Sequence, residues 1–250
     1  MTLFFVCLLS AIFGSFLNML IYRLPRHLNW ISSSSRCISC HHSLSFLSLI
    51  PIISYCFSRG SCRHCHASIP IRYLLIELWM VAISAYLFLT FNFSILFAIY
   101  WLGIFCITGI FFTDLETYII PDIFTFCLFS LGLIYRAYTN TLLSGVWGSL
   151  FGFGLFFLVW YVSLLVYKTE GIGFGDVKLM GALGFYFGLM NTIILSYLSF
   201  LLGGIIALLL LATKLKGRKD AIPFGPFICV AAGLTAIYGP ELWSRFFAFT

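Results

Sequence analysis

Residues 193–213 read IILSYLSFLLGGIIALLLLAT, a stretch without a single charged side chain. An α-helix needs roughly 20 apolar residues to cross the hydrocarbon core of a bilayer, and this stretch is long enough. Similar uncharged runs recur along the chain, of which 62% is hydrophobic and only 9% charged. A water-soluble domain of 250 residues could not bury so much apolar surface. The pattern therefore predicts an all-α, polytopic membrane protein.

The apolar runs between charged and turn residues predict about eight transmembrane helices. We place them at 2–22, 73–91, 94–113, 123–138, 143–167, 177–190, 193–213 and 222–239. The first run has no basic flank before it and no small-residue cleavage site after it, so we expect it to be retained as a helix. Two runs, 123–138 and 177–190, are short, which is typical of tilted, partly re-entrant or cavity-lining segments.

The basic residues predict how the chain is oriented. Twelve of them fall in loops on one face: Arg23, Arg26, Arg36, Arg59, Arg63, Arg72, Lys168, Lys178, Lys214, Lys216, Arg218 and Lys219. Only Arg136 and Arg245 fall on the other face. The positive-inside rule then assigns 23–72, 114–122, 168–176 and 214–221 to the cytoplasm and both termini to the opposite side. Because the basic residues form no continuous face, the net charge of +6 predicts a lipid bilayer and no nucleic acid as partner.

The loop 23–72 follows the first helix (1–22) and precedes the remaining membrane helices (73–250). It contains all five histidines and two CxxC pairs separated by 21 residues. These four cysteines are Cys37, Cys40, Cys62 and Cys65. Four thiolates at this spacing are typical of a closed, structural zinc site, and the reducing cytoplasm disfavours disulfides. The alternatives are a redox pair, unliganded thiols, or replacement of one ligand by His41, His42, His64 or His66.

Three aspartates stand beside predicted membrane helices. Asp114 closes an apolar run, at the helix end whose partial negative charge disfavours a carboxylate. Asp122 and Asp176 each stand at a predicted helix start, where a carboxylate can cap free amides. Glycines at positions 171, 173 and 175 permit a substrate backbone to approach Asp176 closely. Helix capping thus explains Asp122 well, Asp176 partly and Asp114 poorly.

Aspartates at the cytoplasmic ends of two different helices suit peptide hydrolysis. One carboxylate can act as a base on water while the other, protonated, acts as an acid on the carbonyl group. Lys178, two residues after Asp176, either shifts the aspartate pair electrostatically or, as is more common for a lysine near a helix start, acts as a cytoplasmic anchor.

Several motifs, in one order, resemble those of the type IV prepilin peptidases. They are GSFLN at 14–18, YRLP at 22–25, LIPI at 49–52, FTD at 112–114, IPD at 120–122, GFGDVK at 173–178 and PFGP at 223–226. Each motif is short, but their shared order and spacing are specific. The sequence departs from the family at Ile38 and Leu74, where the family usually has proline.

This resemblance implies a GxGD-type aspartic endopeptidase of the bacterial inner membrane, with both termini periplasmic and with Asp114 and Asp176 as its catalytic pair. It implies removal of the basic leader from type IV prepilins or type II secretion pseudopilins, followed by S-adenosylmethionine-dependent N-methylation. The resemblance also implies a zinc-binding loop. It leaves open whether the protein forms a homo-oligomer. The sequence has no glycine-rich nucleotide-binding turn, so the residues that bind the methyl donor stay unknown.

Two other functions compete with the peptidase. An ion-coupled membrane transporter would also use intramembrane carboxylates, although it would place them near the bilayer midplane and not at helix ends. A zinc-bearing membrane scaffold without chemistry would account for the cysteines and leave Asp114 unexplained.

Overall fold

The computed structural model describes residues 1–31, 35–40, 42–43, 50–168, 171–217 and 220–246. Its regular elements are α1 Thr2–Arg23, α2 Ile53–Phe57, α3 Arg72–Phe91, α4 Ile95–Thr117, α5 Asp122–Tyr138, α6 Leu142–Tyr167, α7 Phe174–Ala212 and α8 Gly225–Phe246, with a 3₁₀ turn at Leu24–Arg26. Within those residues the backbone forms no strand beyond two isolated bridges, Arg36 with Ser43 and Ser61 with Ser68. The predicted all-α fold is confirmed.

In the described part of the chain, five helices are long and apolar enough to cross a membrane, namely α1, α3, α4, α6 and α7. Helices α5 and α8 cover the two other expected segments; α5 has 17 residues, and the apolar part of α8 is limited to Gly225–Gly239. The expected helices 177–190 and 193–213 are the two parts of α7, which meet at a kink at Gly188, the one residue inside α7 with non-helical angles. The polytopic membrane fold is therefore confirmed, and the two expected helices join directly at a bend.

The chain divides into two compact units, Met1–Phe105 and Cys106–Thr250. In the first unit α1 packs against α3. A Cβ atom added to Gly14 would lie 2.9 Å from the Cα atom of Glu77, so only glycine allows the helices this approach. The buried Asn18 side chain donates a hydrogen bond to the Tyr73 carbonyl at 3.0 Å. The GSFLN motif thus holds α1 against α3.

In the second unit α7 packs against α5, α6 and α8. Gly148 of α6 and Gly184 of α7 meet face to face, because a Cβ atom on either one would collide with the carbonyl oxygen of the other. A Cβ atom on Gly152 would lie 2.6 Å from the Met180 carbonyl oxygen. These glycines let α6 and α7 approach each other closely, as small residues do between membrane helices.

The bend in α7 leaves backbone carbonyls without their usual helical partners. Gly188 has φ of 72° and ψ of 171°. The guanidinium group of Arg136, on α5, donates to the carbonyls of Tyr186 at 3.0 Å and Phe185 at 3.4 Å. Arg136 therefore caps the first part of α7 with a positive charge at a helix C-terminus, where such a charge is favourable.

Candidate active site

Asp114 lies in the last turn of α4 and is only 5% exposed. Its Oδ2 atom accepts a hydrogen bond of 2.9 Å from the backbone N–H of Gly225, the first residue of α8. The carboxylate that looked misplaced at the end of one helix thus lies at the positive N-terminus of another. The PFGP motif at 223–226 predicts no role for Gly225 by itself; the signal it contains is a glycine between two prolines at a helix start.

Asp176 occupies the first turn of α7 and is also 5% exposed. Its Oδ2 atom accepts a hydrogen bond of 3.0 Å from the backbone N–H of Gly173, the residue that precedes the helix. The expected position at a helix start is confirmed. Its other oxygen, Oδ1, is buried and has no hydrogen-bond partner among the described residues.

The two carboxyl groups are close enough to interact electrostatically. The buried Cys229 of α8 interacts with both of them in the same way. Adjacent carboxyl groups shielded from water hold one proton between them more readily than two negative charges. The arrangement supplies a base and an acid at one place.

Asp122 differs from both, since its side chain is 74% exposed. It is the first helical residue of α5, Pro121 takes the capping position, and no side chain caps the helix. The expected capping role of Asp122 is therefore wrong. Its Oδ1 atom instead accepts a hydrogen bond of 2.8 Å from Nζ of Lys178, which joins the starts of α5 and α7.

The four loop cysteines form a second cluster, in the first unit. Their Sγ atoms all lie within 4.8 Å of one another, and those of Cys37 and Cys65 are 3.8 Å apart. Zinc–thiolate bonds of about 2.3 Å in a tetrahedron require sulfur atoms about 3.8 Å apart. The four cysteines therefore fit a zinc ion.

The backbone around these cysteines favours thiolates. The backbone N–H of Cys37 donates to the His42 carbonyl and that of Cys62 to the Ala67 carbonyl, each at 2.9 Å, so the two CxxC turns have matching geometry. Hydrogen bonds from the backbone amides of Cys65 and His64 lower the pKa of the Cys62 thiol to about 6. No described histidine joins the four sulfur atoms, and His41 lies outside the described residues.

Comparisons with known proteins agree with this architecture. Residues 8–91 match the Bacterial Peptidase A24 N-terminal domain, and residues 101–208 match the Type IV leader peptidase family. A prepilin leader peptidase/N-methyltransferase of Dichelobacter nodosus is 31% identical over 98% of this chain and 94% of its own length. Proteins of the same name from Legionella pneumophila (30% identical, 95% and 91% covered) and Pseudomonas aeruginosa (28%, 97% and 92%) are similar throughout. No solved structure matches the chain.

Fold and site together define a class: helical membrane proteins that carry two buried, interacting aspartates on separate helices and a four-cysteine loop. The chain belongs to the type IV leader peptidase family.

Proposed function

We propose that this protein removes the basic leader from type IV prepilins or type II secretion pseudopilins at the cytoplasmic membrane face and N-methylates the new N-terminal residue. The relatives' shared name, prepilin leader peptidase/N-methyltransferase, supports both reactions. The single observation that carries the peptidase activity is the interaction of two buried aspartates held on different helices.

Asp114 and Asp176 are the proposed catalytic pair. The ionised member takes a proton from water as the water oxygen attacks the scissile carbonyl carbon, and the protonated member donates to the carbonyl oxygen. Collapse of the tetrahedral adduct breaks the C–N bond, and the leaving amine takes a proton. The Gly225 and Gly173 amides fix one oxygen of each carboxyl group, while the buried Oδ1 of Asp176 has no hydrogen-bond partner among the described residues and is available to the attacking water or the substrate.

The four cysteines are proposed to hold a structural zinc ion. A site of four thiolates leaves no coordination position for substrate, so the ion would fold the loop and take no part in hydrolysis. When bound, S-adenosylmethionine would supply the methyl group that is transferred to the new N-terminal amine.

The proposed setting is the bacterial inner membrane, with both termini in the periplasm. The distribution of twelve basic residues against two supports that orientation. The relatives described above are named as peptidases, which leaves the transporter alternative without support.

Product mass tests the proposal directly. The purified protein in detergent is incubated with a prepilin, with and without S-adenosylmethionine, and the product is weighed by mass spectrometry. We expect loss of the leader in both cases and one added methyl group only with the donor. A prepilin that keeps its full mass in the presence of folded protein contradicts the peptidase proposal.

A further inference from the structure

The loop of the first unit returns to the membrane helices at Ile52. The backbone N–H of Ile52 donates a hydrogen bond of 2.7 Å to the carboxylate of Glu77, which is buried. Glu77 is the sixth residue of α3, about 7 Å along the helix axis from its start, and helical side chains point back toward that start. The 20 residues of α3 span about 30 Å, which is the thickness of the hydrocarbon core, so its start marks one edge of that core. Ile52 is therefore held at the membrane edge.

A sharp turn at Ile52 precedes the short helix α2, Ile53–Phe57. Ile52 has φ of 63° and ψ of −56°, a conformation that a β-branched residue rarely adopts. Such a conformation persists only where neighbouring contacts enforce it, and the hydrogen bond to Glu77 is one such contact. Helix α2 therefore begins at the level of the first turns of α3.

The other end of α2 is tied to the same level. The Tyr55 hydroxyl donates a hydrogen bond of 3.3 Å to the Ile69 carbonyl. The Ile69 N–H donates in turn to the carbonyl of Gly60, just after α2, at 2.7 Å. Ile69 lies three residues before α3, so these bonds hold the end of α2 next to the start of that membrane helix. Because both ends are attached there, α2 lies along the membrane edge.

The side chains of α2 divide into an inner and an outer set. Ser54 and Tyr55 line a cavity inside the first unit. Ile53 and Phe57, four residues apart and thus on one face of the helix, are 53% and 78% exposed, and the Cys56 side chain beside them is exposed too. An exposed apolar face at a membrane edge is placed to contact the acyl chains of the lipids.

The charge of the surrounding loop also suits a bilayer. Residues 23–72 contain six arginines and no aspartate or glutamate. One of these arginines, Arg59, stands two residues after α2 and is exposed. Helices that lie in a membrane interface combine an apolar face with basic residues that reach anionic lipid headgroups. The position, the apolar face and the charge of this segment thus all fit a bilayer that contains anionic lipid.

We propose that α2 is an interfacial helix. Ile53, Cys56 and Phe57 insert among the acyl chains of the leaflet at which α3 begins, and the Arg59 guanidinium group lies among anionic headgroups. This contact holds the four-cysteine loop on the bilayer surface at a point outside the membrane-crossing helices. It does not depend on the proposed peptidase and methylation activities, so its test can fail while they stand.

Photocrosslinking identifies what covers this face of α2. The full-length protein is placed in bilayer discs of phosphatidylcholine and phosphatidylglycerol, with Phe57 replaced by the photoreactive benzoylphenylalanine. Mass spectrometry should find lipid adducts, in a yield within about twofold of that from the same replacement at Leu158, an exposed apolar residue of the membrane helix α6. The same replacement at Ser39, an exposed position of the four-cysteine loop, should give few. An adduct to the second unit or to another copy of the chain, without lipid, overturns the proposal.

Cys56 supplies an independent measurement, because its exposed thiol lies on the proposed membrane-facing side of α2. In the same discs a water-soluble maleimide should label Cys56 at least about tenfold more slowly than in the Phe57→Gln variant, which loses its main apolar anchor. Labelling is read on the Cys56 peptide alone, so the other cysteines do not contribute.

The matched control is Ser68→Gln, at an exposed loop residue outside α2. Its Cys56 should be labelled within about twofold of the rate in the unaltered protein, because the apolar face is intact. Both variants should elute like the unaltered protein in gel filtration, which shows that they are folded. Equal labelling of Cys56 in the unaltered protein and in Phe57→Gln overturns the insertion of α2.

Discussion

Single residues decide how Asp114 is placed. The amide that holds its carboxylate belongs to Gly225, 111 residues further along the chain. Any side chain at position 225 would intrude on that contact, since a Cβ atom there would lie 2.7 Å from Oδ2 of Asp114. The placement of this carboxylate therefore depends on a glycine in another helix.

The first prediction separates the three aspartates. Asp114→Asn or Asp176→Asn should reduce leader cleavage by about 10²–10⁴-fold, because each removes one member of an acid–base pair. Asp122→Asn should have a small effect, because its ion pair with Lys178 is exposed and such pairs contribute little. Methylation of an already cleaved pilin, measured on each variant, shows that the protein is folded. Equal loss of cleavage at all three positions would contradict the choice of pair.

A second prediction concerns Gly225. Gly225→Ala should lower kcat for cleavage by tenfold or more and leave KM nearly unchanged, because the new Cβ displaces the Asp114 carboxylate by a few tenths of an ångström or more. Gly233→Ala on the same helix is the matched control, since its Cβ would meet nothing within 4 Å. If the two variants cleave at the same rate, the Gly225 contact has no part in catalysis.

The aspartates could be predicted from the sequence and their partners could not. Asp114 and Asp176 stood out because they border uncharged runs, and motif order reinforced the choice. The Gly225 contact depends on how α4 meets α8, and the Asp122–Lys178 pair on how α5 meets α7. Neither contact leaves a periodic signal in the chain, so local patterns could not reveal it.

At the scale of elements, the bend in α7 is the main departure from expectation. Hydropathy separates predicted helices at the polar residues between them. The residues around Gly188 are uncharged, so the pattern predicted two helices but not the structure of their junction. In the structure the junction is one glycine with positive φ, and the carbonyls beside it accept from Arg136. Arg136, near the end of the short helix α5, thus stabilises a neighbouring helix.

A third prediction tests the contact by which Arg136 caps the first part of α7. Arg136→Met should destabilise the protein by about 1–3 kcal/mol, because part-buried carbonyls lose their donor. Gly188→Ala should destabilise it too, since a Cβ would lie 2.6 Å from Ser144 Oγ and 2.7 Å from Arg136 Nη2. The two effects should be non-additive in the double variant, as measured by unfolding in detergent.

The control for this series is Gly154→Ala in α6, where the added Cβ would meet nothing within 4 Å. It should unfold like the unaltered protein. Additive losses from Arg136→Met and Gly188→Ala would show that the two residues act independently.

The four-cysteine loop gives the fourth prediction. Purified protein should contain about one zinc ion per chain, and Cys40→Ser should lose most of it, because three thiolates bind zinc less tightly than four. Protein yield and methylation should fall more than the cleavage rate per folded molecule, since the metal stabilises the loop and not the aspartate pair. Cys56→Ser, which changes an exposed thiol outside the cluster, is the control. Full activity in a metal-free preparation would contradict a structural zinc site.

For the whole molecule, charge and hydropathy predict different things. Hydropathy predicts where helices lie, and every one of the eight expected segments is helical in the structure. Charge predicts which side of the membrane each loop occupies. The positions of the helices alone do not show which end of each helix is cytoplasmic. The orientation therefore depends on the counting of basic residues in short loops, a rule that works because positively charged loops are retained in the cytoplasm.

The fifth prediction tests this orientation with reporter fusions in a bacterial host. Green fluorescent protein inserted after residue 216, between α7 and α8, should fluoresce, because Lys214 and Lys216 mark a cytoplasmic loop. Alkaline phosphatase fused after residue 250 should be active, because it folds only outside the cytoplasm, and the same enzyme inserted after residue 216 should be inactive. The reverse pattern, with alkaline phosphatase active after residue 216 and inactive after residue 250, would put the buried aspartates at the periplasmic face, where a prepilin leader that stays in the cytoplasm could not reach them.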